Sequence, residues 1–314
     1  FFFNKMSKNN NLNFTRKKNH FFRNILILLI SISVSIGIFF GAKFIISNIN
    51  KNKITINTIK DAWAKYDYDS VYQNGKIFLQ QEPFNNTVLT YYGYACFYLA
   101  VSQNDTFQAQ EYLDECINKL RVAIYNASPS LLPQLYYMLG KAYFYKNNIS
   151  TYYYADLSIK YLTLAKENGY EANDIAEYLG LSYASLGMTM ESISAFTEAL
   201  LVRESDRLLL SIAEQYFEIK EYNAAIQYLF RVLESSDNID IIDKTKILLS
   251  NIYIEQDNLE AAKKELESLL EKNNKNADAH YFMGIIYEKE NNLIKARSEW
   301  RNTLKIQPNY QEAL

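Results

Sequence analysis

A chain of 314 residues with 9 Gly and 4 Pro has little material for tight turns or sheets, while 49% hydrophobic residues are ample for a buried core. Two Cys and two His exclude a multi-cysteine metal centre or a disulfide framework. The net charge of −2 conceals an asymmetry: no acidic residue precedes Asp61, so residues 61–314 hold 23 basic side chains against 35 acidic ones, a balance that disfavours nucleic acid as a partner.

Residues 1–23 form a basic tail carrying Lys5, Lys8, Arg16, Lys17, Lys18 and Arg23. From Asn24 to Ala42, NILILLISISVSIGIFFGA, no charge occurs over 19 residues. As a helix this run spans about 28 Å, the hydrocarbon thickness of a bilayer. Lys43 can snorkel, so residues 24–47 are expected to form one transmembrane helix. Cleavage after Ala42 would put Phe40 at the −3 position, and no cysteine lies near, so an uncleaved anchor is expected rather than a signal peptide. Six basic residues precede the span and Lys43, Lys51, Lys53 and Lys60 follow it, placing the N-terminus in the cytoplasm and the remainder outside, in periplasm or at the surface. A start at Met6 would remove Lys5 and leave five against four.

The rest of the chain repeats. Residues 55–85, with Trp63, YDYDSVY and Pro83, read as a degenerate first unit. Gly93 is followed by Cys96 and Ala109, and Gly140 by Tyr143 and Ala155, with three or four residues more than in the later units. Then the spacing becomes regular: a small residue, an aromatic three later, a small residue twelve later and a large apolar residue sixteen later. Gly180 gives Tyr183, Ser192 and Phe196; Ala213 gives Tyr216, Ala225 and Leu229; Ser250 gives Tyr253, Ala262 and Leu266; Gly284 gives Tyr287, Ala296 and Trp300. The starts lie 33, 37 and 34 residues apart, a period that marks a repeat array. The 3.6-residue periodicity and short polar connections predict an all-α protein. Mid-helix glycine costs about 1 kcal/mol relative to alanine, so its return at one register points to close helix crossing. Gly169 and Gly187 instead fit helix C-caps.

This spacing resembles the tetratricopeptide repeat (TPR), a 34-residue pair of antiparallel helices. Residues 283–308, MGIIYEKENNLIKARSEWRNTLKIQP, match the family pattern down to Pro308, and the likeness covers roughly 55–308. It implies a right-handed superhelical solenoid of six to seven stacked hairpins. His280 stands where the family has Trp, so a packing role is expected for it. Residues 309–314, NYQEAL, read as the start of a truncated or capping helix, leaving part of the stripe Leu293, Ala296, Trp300 and Leu304 exposed.

Chemistry is nearly absent. No phosphate loop, dinucleotide fingerprint or nucleophile elbow occurs, so neither catalytic residues, nor a metal site, nor a cofactor is expected. Cys96 takes the place of the repeat Tyr and Cys116 follows on the next helix; buried thiols are expected, with a disulfide as the alternative. A binding module follows: a membrane-anchored scaffold holding a protein or peptide in its concave groove. The alternative is a structural subunit assembling through its convex face or its open last unit. The resemblance implies that the groove is lined by Tyr94, Phe97, Tyr98, Tyr137, Lys141 and Phe144 in the early units and by Glu177, Glu214 and Asn251 in the later ones. Repeat packing falls to Gly93, Gly140, Gly180, Ala213, Ser250 and Gly284 with the aromatics and alanines named above. The pairs Glu177/Leu181, Leu210/Glu214, Ile247/Asn251 and Tyr281/Ile285 lack the Lys–Asn carboxylate clamp of chaperone-tail-binding relatives, so no such tail is expected to bind. An aromatic half beside an acidic half implies a peptide anchored by apolar side chains, with its basic residues towards the C-terminal units.

Overall fold

The computed structural model describes residues 32–43 and 54–313, which fall into two units. The first contains helix α1 over 32–43, whose apolar side chains, Ile32 to Phe40, are exposed. No helix among the described residues is long and apolar enough to cross a membrane. The remainder of the expected span 24–47 and the basic tail 1–23 lie outside the described residues.

The second unit is a stack of seven helical hairpins: α2 (Ile56–Ala64) with α3 (Tyr68–Gln81), α4 (Asn86–Val101) with α5 (Thr106–Tyr125), α6 (Leu132–Ile149) with α7 (Ala155–Glu167), α8 (Ile175–Ser185) with α9 (Thr189–Val202), α10 (Asp206–Glu218) with α11 (Tyr222–Ser235), α12 (Ile239–Glu255) with α13 (Leu259–Lys272), and α14 (Ala277–Lys289) with α15 (Leu293–Ile306). The segment 55–85 thus folds as a complete hairpin. A single 3-10 turn, Gln311–Ala313, follows α15, and no strand occurs among the described residues.

Local chemistry explains where the helices begin and turn. Asp67, Asn85, Asp105, Ser205, Asn238, Asn258, Asn276 and Asn292 cap helix N-termini by accepting from backbone N–H groups, which gives the many asparagines of this chain a structural use. In the four regular units the hairpin turn is closed by one backbone bond onto the carbonyl of the repeat tyrosine: Met188 N–H to Tyr183, Glu221 to Tyr216, Asn258 to Tyr253 and Asn292 to Tyr287, at 2.7–3.0 Å. That closure needs one residue at positive φ, supplied by Gly187 (φ 69°), Lys220 (61°), Asp257 (56°) and Asn291 (60°). Gly169 (φ 81°) ends α7 in the same way, with Tyr170 N–H donating to the Ala165 carbonyl.

The small residues sit where paired helices cross. A Cβ on Gly180 would lie 2.4 Å from Phe196, and one on Gly284 would lie 2.2 Å from Trp300. Ala213, Ala225, Ser250, Ala262 and Ala296 are all inaccessible to solvent. Ser192 Oγ donates to the Gly180 carbonyl at 2.9 Å, riveting the crossing. Tyr216 and Tyr253 each pack against the cores of two adjacent units, the gap-filling expected of the repeat aromatic.

Units two and three correct the sequence reading. A Cβ on Gly140 would meet Leu162, and Ser158 Oγ donates to the Gly140 carbonyl at 3.0 Å, so Ser158, not Ala155, is the second small residue. A Cβ on Gly93 would meet Leu120 and the Cys116 carbonyl, so Cys116 takes the place expected for Ala109. These units carry six and eleven additional residues rather than three or four. Ala109 and Ala155 are buried elsewhere in their helices.

First helices of successive units touch one another (α2 with α4, α4 with α6, α6 with α8, α10 with α12, α12 with α14), whereas second helices chiefly contact the helices adjacent in sequence. Rows that converge on one side and spread on the other define a curved stack with the first helices on its inner face.

Candidate functional site: the inner face

Six of the nine residues expected to line the groove are open to it only in part, and two are not open at all. Tyr94 and Phe97 are 6% and 4% exposed. They belong to the core between units, because α4 packs against α2, α3, α5 and α6. Tyr98, Tyr137, Lys141, Phe144, Glu177 and Asn251 are half-buried, and Glu214 is exposed.

The early-unit residues are nevertheless brought together. Trp63 lies 5.5–6.0 Å from the rings of Tyr91, Tyr94 and Tyr98, and Tyr68 stacks on Tyr98 at 4.6 Å. Phe97 meets Tyr145 edge-on at 5.5 Å, the Tyr145 and Tyr178 hydroxyls lie 3.3 Å apart, and Phe144 packs on Tyr178 at 4.9 Å. An aromatic band therefore runs along the inner face from α2 to α8. At its centre the Lys141 ammonium donates to Asp174 Oδ2 at 2.9 Å and to Tyr137 Oη at 3.1 Å, while Tyr137 Oη donates to Asp174. Burial, then the hydrogen bond to Asp174, pushes the Tyr137 phenol pKa up, and burial does the same to Tyr178.

Two clefts open on this face. One, of about 550 Å³, is lined by Tyr137, Asp174, Glu177, Ala199, Val202 and Arg203 among others. The other, of about 520 Å³, spans α10 to α14 and is lined by Glu214, Asp240, Asp243, Lys244, Asn251 and Asp278 around Ile247 and Leu248. Among the described residues, Glu177, Glu214, Asp240, Asp243 and Lys244 form no ion pair. Glu214 keeps contact with solvent, yet protein on both flanks of the groove desolvates it and raises its pKa, against the opposing pull of Lys244. Aromatic rings thus gather on α2 to α8 and carboxylates on α8 to α14.

Asp174, Tyr178, Asp240, Asp243 and Asp278 line this face and were not singled out from sequence. A signal for three of them exists: an aspartate six or seven residues before the small residue recurs in the last four units, at Asp174, Asp206, Asp243 and Asp278. It was hidden because acidic residues also favour the first turn of any helix.

The remaining chemistry-bearing residues are structural. Cys96 and Cys116 are free and fully buried, and burial pushes both thiols up. His280 Nδ1 lies 2.6 Å from Glu299 Oε2 and Nε2 lies 3.2 Å from the Asn274 carbonyl, joining α14 to α15. No grouping of His, Cys, Asp and Glu able to hold a metal ion occurs among the described residues.

Residues 164–314 match the family model of the tetratricopeptide repeat protein 21 C-terminal ARM domain. The anaphase-promoting complex subunit CDC16 of Saccharomyces cerevisiae is 29% identical over 141 residues, 43% of this chain; the match spans only 17% of that protein. Among solved structures, the C-terminal part of a TPR repeat-containing protein from Cytophaga hutchinsonii superposes with a TM-score of 0.58 at 15% identity, over 82% of this chain and 98% of that one. A chain of the APC/C hetero-tetramer Cut9–Hcn1 superposes at 0.50 and 15% identity, over 81% of this chain and 46% of that one.

Proposed function

We propose that this chain, a TPR-like helical repeat protein, is a membrane-anchored scaffold that binds an extended segment of a partner protein along its inner face. The observation that carries this reading is the pair of inner clefts, where Glu177, Glu214, Asp240 and Asp243 form no ion pair among the described residues. Unpaired charge beside apolar floor such as Ile247 and Leu248 is a surface arranged for a ligand. Anchoring through residues 24–47 is supported by the charge-free run from Asn24 to Ala42 and by α1, where Ile32, Val34, Ile36, Phe39 and Phe40 are exposed. The charge imbalance across that run supports a cytoplasmic N-terminus and repeats in the cell envelope. No catalytic function is assigned to it.

A second reading is assembly through the last unit, where Leu293 and Ile294 of α15 are 53% and 85% exposed. CDC16 is itself named as a subunit of a complex. A photo-crosslinking amino acid at Glu177, Glu214 or Asn251 is expected to capture the partner, and one at Glu198 or Glu267 on the second helices is not. Capture only at Ile294 or on the second helices would refute the groove reading in favour of the assembly one. For topology, a phosphatase reporter that works only outside the cytoplasm, fused after Leu314, is expected to be active. Activity of a cytoplasm-only reporter there would reverse the orientation.

A further inference from the structure

The most complete recognition chemistry on the inner face is already in use, by the protein itself. The Lys141 ammonium lies 4.9 Å from the ring centroid of Tyr178, 5.1 Å from Tyr137 and 5.8 Å from Phe97, besides its bonds to Asp174 and the Tyr137 hydroxyl. One carboxylate, one phenol oxygen and three ring faces are the components of a receptor for an alkylammonium or guanidinium group. Phe97 comes from α4, Tyr137 from α6 and Tyr178 from α8, so the box is assembled from three successive units.

Two further facts set this box apart from an ordinary buried ion pair. Lys141 reaches it from the floor of the groove and its side chain is 16% exposed, whereas Asp174 is 37% exposed and faces the 550 Å³ cleft. The box meets that cleft at Tyr137 and Asp174, which line it, while the Phe97 ring closes the inner wall. Moreover Glu177, one turn further along α8, lines the same cleft and forms no ion pair among the described residues. A displaced Lys141 ammonium on its flexible stem has a second carboxylate to move to.

We infer that the Phe97–Tyr137–Tyr178–Asp174 box is a recognition site for one cationic side chain of the bound partner, a lysine or an arginine, which takes the place of Lys141. This rests on the groove reading and deepens it: Lys141 holds the box in shape while the groove is empty and yields when a competing cation arrives on an otherwise complementary segment. Selection then depends on the remainder of that segment, because a cation without it competes with the tethered Lys141 ammonium and enters the box only at high concentration.

The test uses the full chain with Lys141→Ala, which vacates the box. The probe is n-butylammonium, an analogue of the whole lysine side chain, with 1-butanol as its uncharged counterpart. At about ten times its Kd, butylammonium is expected to raise the Tm of Lys141→Ala by roughly 2–4 °C. Butanol is expected to have no effect, and Lys141→Ala/Asp174→Asn is expected not to respond to either. Equal responses to both probes, or a response that survives Asp174→Asn, would overturn the inference. Should Lys141→Ala not fold, the wild-type chain with isotope-labelled lysine is titrated with Nα-acetyl-arginine methylamide. The Lys141 resonance is expected to shift with it and not with the citrulline equivalent, and an unmoved resonance overturns the inference. In the same chain, partner affinity is expected to fall at least tenfold with Asp174→Asn. Unchanged affinity with intact crosslinks at Glu214 and Asn251 sinks the box alone, while absence of inner-face crosslinks in the wild type sinks the groove reading.

Discussion

Gly180→Ala puts one methyl group where the structure has no room for it. The added carbon would stand 2.4, 2.5 and 2.9 Å from Cδ1, Cε1 and Cγ of Phe196, a ring only 1% exposed that cannot swing into solvent. Overpacking of this kind costs up to about 3 kcal/mol. Replacing a mid-helix glycine returns about 1 kcal/mol of helix propensity. The net expectation is a loss of about 2 kcal/mol, read as a lowered urea midpoint with unchanged slope by far-ultraviolet circular dichroism. Phe196→Leu on its own leaves a smaller side chain at the crossing, and combined with Gly180→Ala it is expected to recover at least 1 kcal/mol of coupling energy. Gly284→Ala serves as an internal comparison: its Cβ would come as close as 2.2 Å to Trp300, but that ring is half-exposed on the last helix and can move, so the loss should be smaller. If Gly180→Ala is as stable as the parent, or if the double variant shows no coupling, the close-crossing explanation of the repeat glycines is wrong.

Other consequences are as direct. Tyr94 Oη is buried with no hydrogen-bond partner, so Tyr94→Phe should leave stability unchanged or raise it by up to about 1 kcal/mol, whereas Tyr94→Ala should cost about 3–5 kcal/mol; denaturant titration separates them, and a destabilised Tyr94→Phe refutes the assignment. Ser182 Oγ donates to Ser158 Oγ, which donates to the Gly140 carbonyl. Ser158→Ala orphans a buried hydroxyl and should cost about 1–3 kcal/mol in the same assay, while a loss within error would show that water or a rotamer change satisfies Ser182. Glu214 has its pKa raised in the folded state, so its favourable contribution is present below the unfolded value of about 4.3 and is lost as pH rises through the folded value. Glu214→Gln should therefore stabilise the protein at pH 7, with the gain vanishing by about pH 4; a gain that grows on acidification contradicts the sign.

The regular units were legible because their register is rigid: Gly180, Ala213, Ser250 and Gly284 each meet the residue sixteen later at a helix crossing. Units two and three misled for a physical reason. Ala109 precedes Cys116 by seven residues, two helical turns, and Ala155 precedes Ser158 by three, about one turn. Sliding along a helix by whole turns keeps every side chain on the same face, so periodicity alone cannot count the turns. Only the partner across the crossing does, and that lies in the fold. Burial of Tyr94 and Phe97 was hidden similarly, since α4 is apolar nearly all round and offers no polar face to mark its outer side. Glu177, Glu214 and Asn251 stand on first helices and line the two clefts.

Convergent inner helices and divergent outer ones also give this stack a mechanical character. Cohesion passes only between neighbours, so a pull along the array divides itself among the units as it would among the coils of a spring. Elongation draws the inner helices apart, and at α4, α6 and α8 one ammonium group resists it by tying three successive coils. A tether at one end and a load at the other would make that tie the stiffest link in the coil and its release a graded change in length.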